Sequence, residues 1–429
     1  MPFGKHLNDT RELLVLKRYQ NRFMHKRRSV AEHMGSTAMI AQWMGVIERE
    51  LFNNTIDMSE LLQRAINFNI TQVWTGNVLS STRKMSKSMS EGIASLKEVA
   101  FKDYVEPTLP LSWRDDHKRF IVSAKDDSTE GKILRAADIV DTMLECIDEI
   151  KLNNKSGFED ILKENALELI GIDLKCVKYM IKYVIPKFRL DLIHYGIDIN
   201  EMIDCIYFDD VSDAKLEEFS VIGDYIYQYR SLMELLRYQN KHMFKRASVA
   251  EHMWSVAKIS QGLAIWTKYK FGIDVNMAIC IGKGLHHDNS EQYTGDVLST
   301  TKRMTAKMKE AIEEMETVAF DEYVAPTIPV SLREEYKAYV LTAKDNTIEG
   351  KILAAADIID TIYECAGEVK LGNTEVFGTI LKRVTESLLE IKLDAVDYFL
   401  MHSLRDIGLD IKEYYGEKVY NYIESLYNR

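Results

Sequence analysis

The spacing of apolar residues along the chain predicts long helices. From Val249 to Trp266, and again from Ile352 to Cys365, apolar positions recur every three or four residues, which places them on one face of a helix. The run Ser248-Val249-Ala250-Glu251 has the form of a capping box, so a helix should begin there with His252 in its first turn. Alternating apolar and polar runs are scarce, and six prolines leave room for uninterrupted helices. The pattern therefore predicts an all-α protein.

The chain contains two copies of one domain. The segment KRYQNRFMHKRRSVAEHM, which ends at Met34, returns as LRYQNKHMFKRASVAEHM, which ends at Met253. His33 thus corresponds to His252, an offset of 219 residues that holds without a gap from Arg18 to Leu192. Each copy has about two hundred residues, an ordinary size for a domain. We predict domains over residues 1–210 and 220–429, joined near the acidic segment 207–220.

The two copies differ most in one segment rich in histidine and acidic residues. The second copy reads HHDNSEQYTGD over residues 286–296, where the first reads NFNITQVWTGN. Four ionisable residues are replaced there by uncharged ones: His287 by Phe68, Asp288 by Asn69, Glu291 by Gln72, and Asp296 by Asn77. Packing alone would not distinguish the copies in this way. We therefore predict that the second copy keeps this segment for chemistry.

The residue types in this segment are those of a metal site. Imidazole and carboxylate groups suit Mn, Fe, Co or Zn, and an open position holds a water whose pKa the metal lowers. The adjacent residues His287 and Asp288 can both bind one metal only where a helix end or turn directs both side chains inward. Glu291 lies on the same face if the segment is helical. His252 and Asp357 are candidates for two further ligands. Asp357 lies among apolar residues, where a buried carboxylate needs a partner.

The order of these motifs resembles that of the HD-domain phosphohydrolases. The string SVAEH…HHDNSEQYTGD…AADIID is similar to the bacterial 5′-deoxynucleotidases and the related phage dNTP hydrolases, over most of each copy. The resemblance implies a helical HD-domain bundle that performs metal-assisted hydrolysis of a nucleotide phosphate ester. It also implies a divalent metal (Mn, Co, Fe, Zn or Mg) held by four ligands: His252, His287, Asp288 and Asp357.

The same resemblance implies roles for five more residues. Glu291 and Asp296 match the acidic pair that acts on the attacking water and on the leaving 5′ oxygen. Arg237 matches the phosphate-binding arginine, and Lys302 matches a basic position near the phosphate. Tyr238 departs from the pattern, because the deoxynucleotidases carry a tryptophan beside this arginine. A tyrosine ring can pack against a sugar but presents a narrower face, so a preference for deoxyribose stays open.

The resemblance also suggests why the chain keeps a degenerate first copy. The related deoxynucleotidases are homodimers, so the first copy would take the place of the second subunit and support or complete the second copy's site. We predict an intramolecular pseudo-dimer, with further homo-oligomers left open. Of the four ligands, the first copy keeps counterparts only in His33 and Asp138, so we expect no tight metal site there.

Composition narrows the partners and the compartment. A formal net charge of −11 disfavours a general nucleic-acid binder, which needs a basic surface. No apolar stretch reaches signal-peptide or transmembrane length. The five cysteines are odd in number and show no CxxC spacing, which is typical of free thiols in a reducing compartment. We predict a cytoplasmic protein whose partner is a small-molecule nucleotide, without nucleic acid or membrane.

The leading function is hydrolysis of (deoxy)nucleoside 5′-monophosphates to nucleoside and phosphate. A dNTP hydrolase that releases a longer phosphate chain shares the metal motif and stays open. A mixed-valent di-iron oxygenase of the HD type needs extra histidine ligands, and only His286 lies nearby. The alternative of another class is a non-catalytic nucleotide sensor or decoy, in which the first copy binds the ligand. The full ligand set of the second copy counts against it.

Overall fold

The computed structural model describes residues 3–78, 85–189, 193, 206, 208–297 and 305–428. Within these ranges the regular structure is helical. The only β contacts there are two isolated bridges, one between Lys17 and Ser29 and one between Leu236 and Ser248. The prediction of an all-α protein is confirmed.

Short 3-10 and π turns connect the α-helices of both copies. The helices of the first copy are Phe3–Thr10, Glu12–Val15, Val30–Phe52, Met58–Ala65, Gln72–Thr75, Lys87–Ala100, Arg114–Ile121, Thr129–Lys151, Phe158–Ile170 and Lys175–Tyr179. Those of the second copy are Ile222–Tyr229, Val249–Ile265, Met277–His286, Glu291–Thr294, Ala306–Ala319, Arg333–Val340, Ile348–Lys370, Thr374–Leu388 and Asp394–His402. Helix Asp213–Ser220 precedes the second set and helix Glu417–Tyr427 follows it.

The long helices begin where the sequence places capping residues. The Ser248 hydroxyl accepts from the Glu251 N–H at 3.2 Å, and the Glu251 carboxylate accepts from the Ser248 N–H at 2.9 Å. This capping box starts the helix that holds His252 in its first turn, as predicted. The helix predicted from Ile352 begins earlier, because Thr347 caps it. The capping residues thus fix the start of both helices that line the site.

Helices Val30–Phe52 and Val249–Ile265 form the centre of the molecule. Nearly every residue of both helices is buried, because each packs against its own copy and against the other helix. A Cβ added at Gly35 would lie 3.2 Å from Trp254 Cβ. Gly35 and Trp254 are counterparts under the repeat offset. The two helices therefore cross at equivalent positions.

Other contacts between the copies also occur in reciprocal pairs. One pair lies at the central helices: Gln42 with His286, and Gln261 with Asn67, each at 3.1 Å. The second pair joins arginines to buried aspartates: Arg11 with Asp360, and Arg230 with Asp141. In each pair, the two residues of the second contact are the counterparts of the two residues of the first, at the repeat offset of 219. Reciprocity of this kind is a property of isologous interfaces.

Candidate metal centre

The four ligand candidates of the second copy converge in space. His252 Nε2 lies 3.2 Å from Asp357 Oδ1 and 3.5 Å from Asp288 Oδ2. His287 Nε2 lies 3.3 Å from the same Asp288 oxygen. Ligand atoms of His252, His287 and Asp357 all lie within 4.8 Å of one another. The fold thus brings together residues from three helical segments that are far apart in sequence.

A turn aims the adjacent His287 and Asp288 into this cluster. Helix Met277–His286 ends just before them, and helix Glu291–Thr294 begins three residues after Asp288. The segment is therefore a turn between two helices rather than one continuous helix. The Glu291 N–H donates to the Asp288 carbonyl at 3.0 Å, so Glu291 follows directly on the turn that carries the candidate ligands. Glu291 is half-buried.

Hydrogen bonds at Nδ1 leave Nε2 of both histidines facing the cluster. His252 Nδ1 lies 2.6 Å from Asp360 Oδ2, and His287 Nδ1 lies 3.0 Å from the Gly284 carbonyl oxygen. His287 Nε2 is buried and has no hydrogen-bond partner among the described residues. Metal-binding histidines are commonly oriented by such bonds at the other ring nitrogen. The donor set therefore fits a divalent metal.

The charge states also fit ligation. Burial lowers the pKa of His287 to about 4, so its imidazole is neutral at neutral pH, as a ligand must be. Burial works to raise the pKa of Asp357, but Lys344 and His252 outweigh it and hold that pKa well below its usual range. Burial also opposes ionisation of Asp288, and the neighbouring histidines reverse this, so its pKa is lowered. Both carboxylates are ionised at neutral pH.

Three residues around the ligands escaped sequence reasoning. Lys344 Nζ donates to Asp357 Oδ2 at 2.5 Å, and Asp360 holds His252. Both lysine and aspartate have identical counterparts in the first copy, so a comparison of the copies does not single them out. The available signal was the position of Asp360, one helical turn after Asp357. Arg11 of the first copy binds Asp360, and no sequence pattern places it there.

Arg237 lies beside the cluster with hydrogen-bonding capacity to spare. Its Nη2 is 3.5 Å from Glu364 and its Nη1 is 3.9 Å from Asp360. Its Nε and Nη1 are buried and lack hydrogen-bond partners in the described part of the chain. Its counterpart Arg18 is bound more tightly, with Nε at 3.0 Å and Nη2 at 2.9 Å from one oxygen of Glu145. Arg237 can therefore donate to an anion.

The remaining predicted residues lie next to Arg237 or outside the described ranges. Asp296 Oδ2 accepts from the Tyr238 N–H at 2.9 Å. The Tyr238 ring is buried and packs edge-on against Phe377, with 5.8 Å between ring centroids. Tyr238 thus contacts Asp296 through its main chain. Lys302 lies outside the residues that the structure describes.

Comparison with known proteins decides the family. A family model described as 5′-deoxynucleotidase YfbR-like matches the chain twice, over residues 5–188 and 224–407. The chain belongs to the YfbR-like 5′-deoxynucleotidase family. The two matches confirm the predicted tandem duplication and the predicted class, a metal-dependent nucleotide phosphohydrolase with an HD-type helical fold.

Individual relatives each correspond to about one copy. A 5′-deoxynucleotidase of Vibrio vulnificus is 29% identical over 153 residues, which are 36% of this chain and 78% of that protein. One of Shewanella oneidensis is 25% identical over 190 residues, which are 44% of this chain and 96% of that protein. The crystal structure of an HD-domain phosphohydrolase from Listeria innocua is 29% identical and covers 48% of this chain and 99% of its own, with a TM-score of 0.43.

In the first copy of this family member, different side chains occupy the position that corresponds to the candidate metal site. His33 Nε2 lies 2.8 Å from Asp138, and His33 Nδ1 lies 2.6 Å from Asp141. Phe68 replaces the second histidine, and the Lys125 ammonium lies 4.5 Å from the centre of its ring while bonding Asp138. A lysine cation and a phenyl ring thus accompany the two retained ligand residues.

A further cluster in the first copy is already neutralised by arginines. Ligand atoms of His33, Asp141 and Glu145 come within 4.8 Å of one another. Arg230 donates to Asp141 at 2.9 Å, and Arg18 lies 2.9 Å from Glu145. These ion pairs compete with a metal for the two carboxylates.

His286 points away from the metal cluster. Its Nδ1 lies 2.7 Å from the Tyr225 hydroxyl and its Nε2 lies 3.1 Å from Gln42 of the first copy. Burial lowers its pKa to about 3. His286 therefore belongs to the contact between the copies.

None of the helices that the structure describes combines the length and the apolar character needed to cross a lipid bilayer.

Proposed function

We propose that the second copy hydrolyses nucleoside 5′-monophosphates, deoxynucleotides among them, to nucleoside and phosphate. The observation that carries the proposal is the convergence of His252, His287, Asp288 and Asp357 beside Arg237, whose buried Nε and Nη1 lack partners. Relatives named 5′-deoxynucleotidase support the choice of substrate. A divalent metal bound by these four ligands would supply Lewis acidity and lower the pKa of a bound water.

The surrounding residues bind the phosphate and manage protons in this proposal. Arg237 donates from Nε and Nη1 to phosphate oxygens and offsets the charge that develops on them. Glu291 holds the attacking water and accepts the proton that it loses, and Asp296 in its protonated form gives a proton to the leaving 5′ oxygen. Tyr238 positions Asp296 through its N–H and borders the sugar. Lys302 adds a second positive charge near the phosphate.

Two further residues keep the ligands in place. Asp360 fixes the orientation of the His252 ring, and Lys344 does the same for Asp357. Nitrogen and oxygen donors of this kind suit Mn, Co, Fe or Zn, and Mg with more water in its shell.

We also propose that the two copies, residues 1–210 and 220–429, form a pseudo-dimer within one chain. The reciprocal contacts between them support this, because two similar subunits around a twofold axis bury the same surface patches. The bond from Arg11 to Asp360 supports the further idea that the first copy completes the outer shell of the metal site. The degenerate copy is then kept for what it contributes to its neighbour.

We place the protein in the cytoplasm. Cys146, Cys176, Cys280 and Cys365 are free and buried, which suits a reducing compartment. A nucleotide substrate is also available there.

The substrate is tested with a panel of nucleoside mono- and triphosphates and Mn²⁺, Co²⁺ or Mg²⁺, with products separated by chromatography. Nucleoside and phosphate should appear from monophosphates, and a chelator should abolish turnover until metal is restored. Asp357→Asn should lower turnover at least about 100-fold, since even outer-shell residues cost 10–100-fold.

Asp138→Asn is the matched control, because it makes the same change at the counterpart in the first copy and should retain activity. Release of triphosphate from dNTPs would move the function to dNTP hydrolysis. Absence of turnover with every metal and nucleotide would reject the enzyme and favour the nucleotide sensor.

A further inference from the structure

The first copy contains a cavity of about 800 Å³ that is lined by its own residues alone. The lining includes Arg18, Tyr19, His33, Asn69, Gln72 and Lys125, which are the counterparts of residues around the metal site of the second copy. Sites for small molecules commonly have volumes of roughly 300–1,000 Å³. We propose that this cavity binds a nucleoside monophosphate and does not hydrolyse it.

The second copy's site has acidic residues that suit a cation, and the first copy has amide residues at the same positions, which suit a phosphate. Asn69, Gln72 and Asn77 replace three acidic residues of the second copy and line the cavity. Carboxylates repel a phosphate, whereas the amide of asparagine or glutamine donates hydrogen bonds to its oxygens. The buried Gln72 Oε1 has no hydrogen-bond partner among the described residues. This oxygen is an acceptor, so it is available to a hydroxyl or amino group of the nucleoside rather than to the phosphate oxygens.

The first copy keeps two cations of the second copy's site, since Lys125 and Arg18 are the counterparts of Lys344 and Arg237. The Lys125 ammonium bonds Asp138 and lies 4.5 Å from the centre of the Phe68 ring. Arg18 also lines the cavity, partly neutralised by Glu145. These cations attract a phosphate group. Phe68 offers no donor atom to a metal, so no activated water is expected and the ester bond should survive.

The rest of the lining suits the nucleoside. Glu98, Glu164 and Glu168 come from helices Lys87–Ala100 and Phe158–Ile170 rather than from the helices that carry His33 and Asp138. Carboxylates accept hydrogen bonds from ribose hydroxyls and from exocyclic amino groups of bases. An adenine nucleotide therefore makes a suitable probe.

The test is calorimetric titration of dAMP, without added metal, into full-length Asp357→Asn protein, which should consume the probe at least about 100-fold more slowly than the wild type. The isotherm is fitted to two sites, because the second copy also binds dAMP under the function proposed above. Adding Asn69→Asp and Gln72→Glu restores two carboxylates with little change in size. We expect this to weaken one site at least about tenfold by charge repulsion.

Ser156→Asp is the matched control, because it adds a negative charge at an exposed position of the same copy and should leave both sites unchanged. Thermal melts check that each variant folds. If the melting midpoint of the double variant falls, the single substitution Gln72→Glu is used in its place. Absence of dAMP binding, or an isotherm that the restored carboxylates do not change, would overturn the proposal. If the wild-type chain hydrolyses no nucleotide but the restored carboxylates still remove one dAMP site, the binding proposal stands. Only the proposed enzymatic activity is then rejected.

Discussion

His252 is held by a series of contacts that begins in the other copy. Arg11 donates to Asp360, Ser255 donates to the same carboxylate at 2.5 Å, and Asp360 lies 2.6 Å from His252 Nδ1. Asp360 is almost fully buried, so losing its arginine leaves a buried charge with poorer compensation. Since outer-shell partners set the orientation and basicity of a ligand, the first copy should influence metal affinity.

Arg11→Gln is expected to raise the Mn²⁺ concentration for half-maximal activity about tenfold, the lower end of typical outer-shell effects. Metal titrations of initial rate measure this. Arg230→Gln is the matched control, because Arg230 makes the reciprocal bond to Asp141 in the first copy. Arg11→Gln loses one ion pair between the copies, to Asp360, and Arg230→Gln loses two, to Asp141 and Asp148, so Arg230→Gln is expected to cost at least as much stability. An equal shift in metal requirement for both would contradict a positioning role for Arg11.

At the scale of elements, the site depends on how closely two helices approach. A Cβ at Gly284 would lie 2.5 Å from Ala257 Cα and 2.8 Å from Ala257 N. Helix Met277–His286 therefore packs directly on the backbone of helix Val249–Ile265. The Gly284 carbonyl also accepts from His287. The same close contact thus sets the distance between the two proposed histidine ligands.

Gly284→Ala is expected to destabilise the protein by about 1–3 kcal/mol, the usual cost of overpacking, and to lower activity by moving His287 away from His252. Gly378→Ala is the control, since nothing lies within 4 Å of a Cβ added there, on helix Thr374–Leu388. It should be neutral or stabilise by roughly 0.5–1 kcal/mol. Urea unfolding and initial rates measure both variants. A Gly284→Ala protein with unchanged activity would contradict the importance of this contact.

At the scale of the whole molecule, the copies meet around a buried lysine. Lys258 Nζ donates to Asn67 Oδ1 at 2.5 Å and to Gln261 Oε1 at 3.0 Å. Burial lowers the pKa of Lys258 to about 7. Its charge in turn adds to burial in lowering the pKa of His6 and of His117. The interface therefore contains a base that titrates near neutral pH.

Lys258 should make stability depend on pH. Between pH 7 and the ordinary lysine pKa of 10.5, the unfolded chain binds a proton that the folded chain has released. The free energy of unfolding should therefore rise with pH across this window, by at most about 1.4 kcal/mol per pH unit. Lys258→Met, which installs the residue of the counterpart Met39, should remove this slope. Urea unfolding at pH 7, 8 and 9 measures it, and equal slopes in both proteins would contradict the prediction.

Much of this protein follows from the sequence by itself. The helices were predictable because helical periodicity and capping are local properties, as Ser248 and Glu251 illustrate. The duplication and the family were predictable because the two copies can be compared within one chain. The same comparison singled out His287 and Asp288, since Phe68 and Asn69 replace them. Their roles, like those of the other proposed site residues, stay predictions.

Tertiary structure decided which groups hold those residues in place. Asp360 and Lys344 are identical to their counterparts in the first copy, so only their distances to His252 and Asp357 give them a role. Arg11 precedes Asp360 by 349 residues, and no periodicity relates positions so far apart. Sequence thus determined the local conformation and the chemical types of the site. Pairing of buried charges across the two copies required the fold, because it depends on distance in space and on exclusion of water.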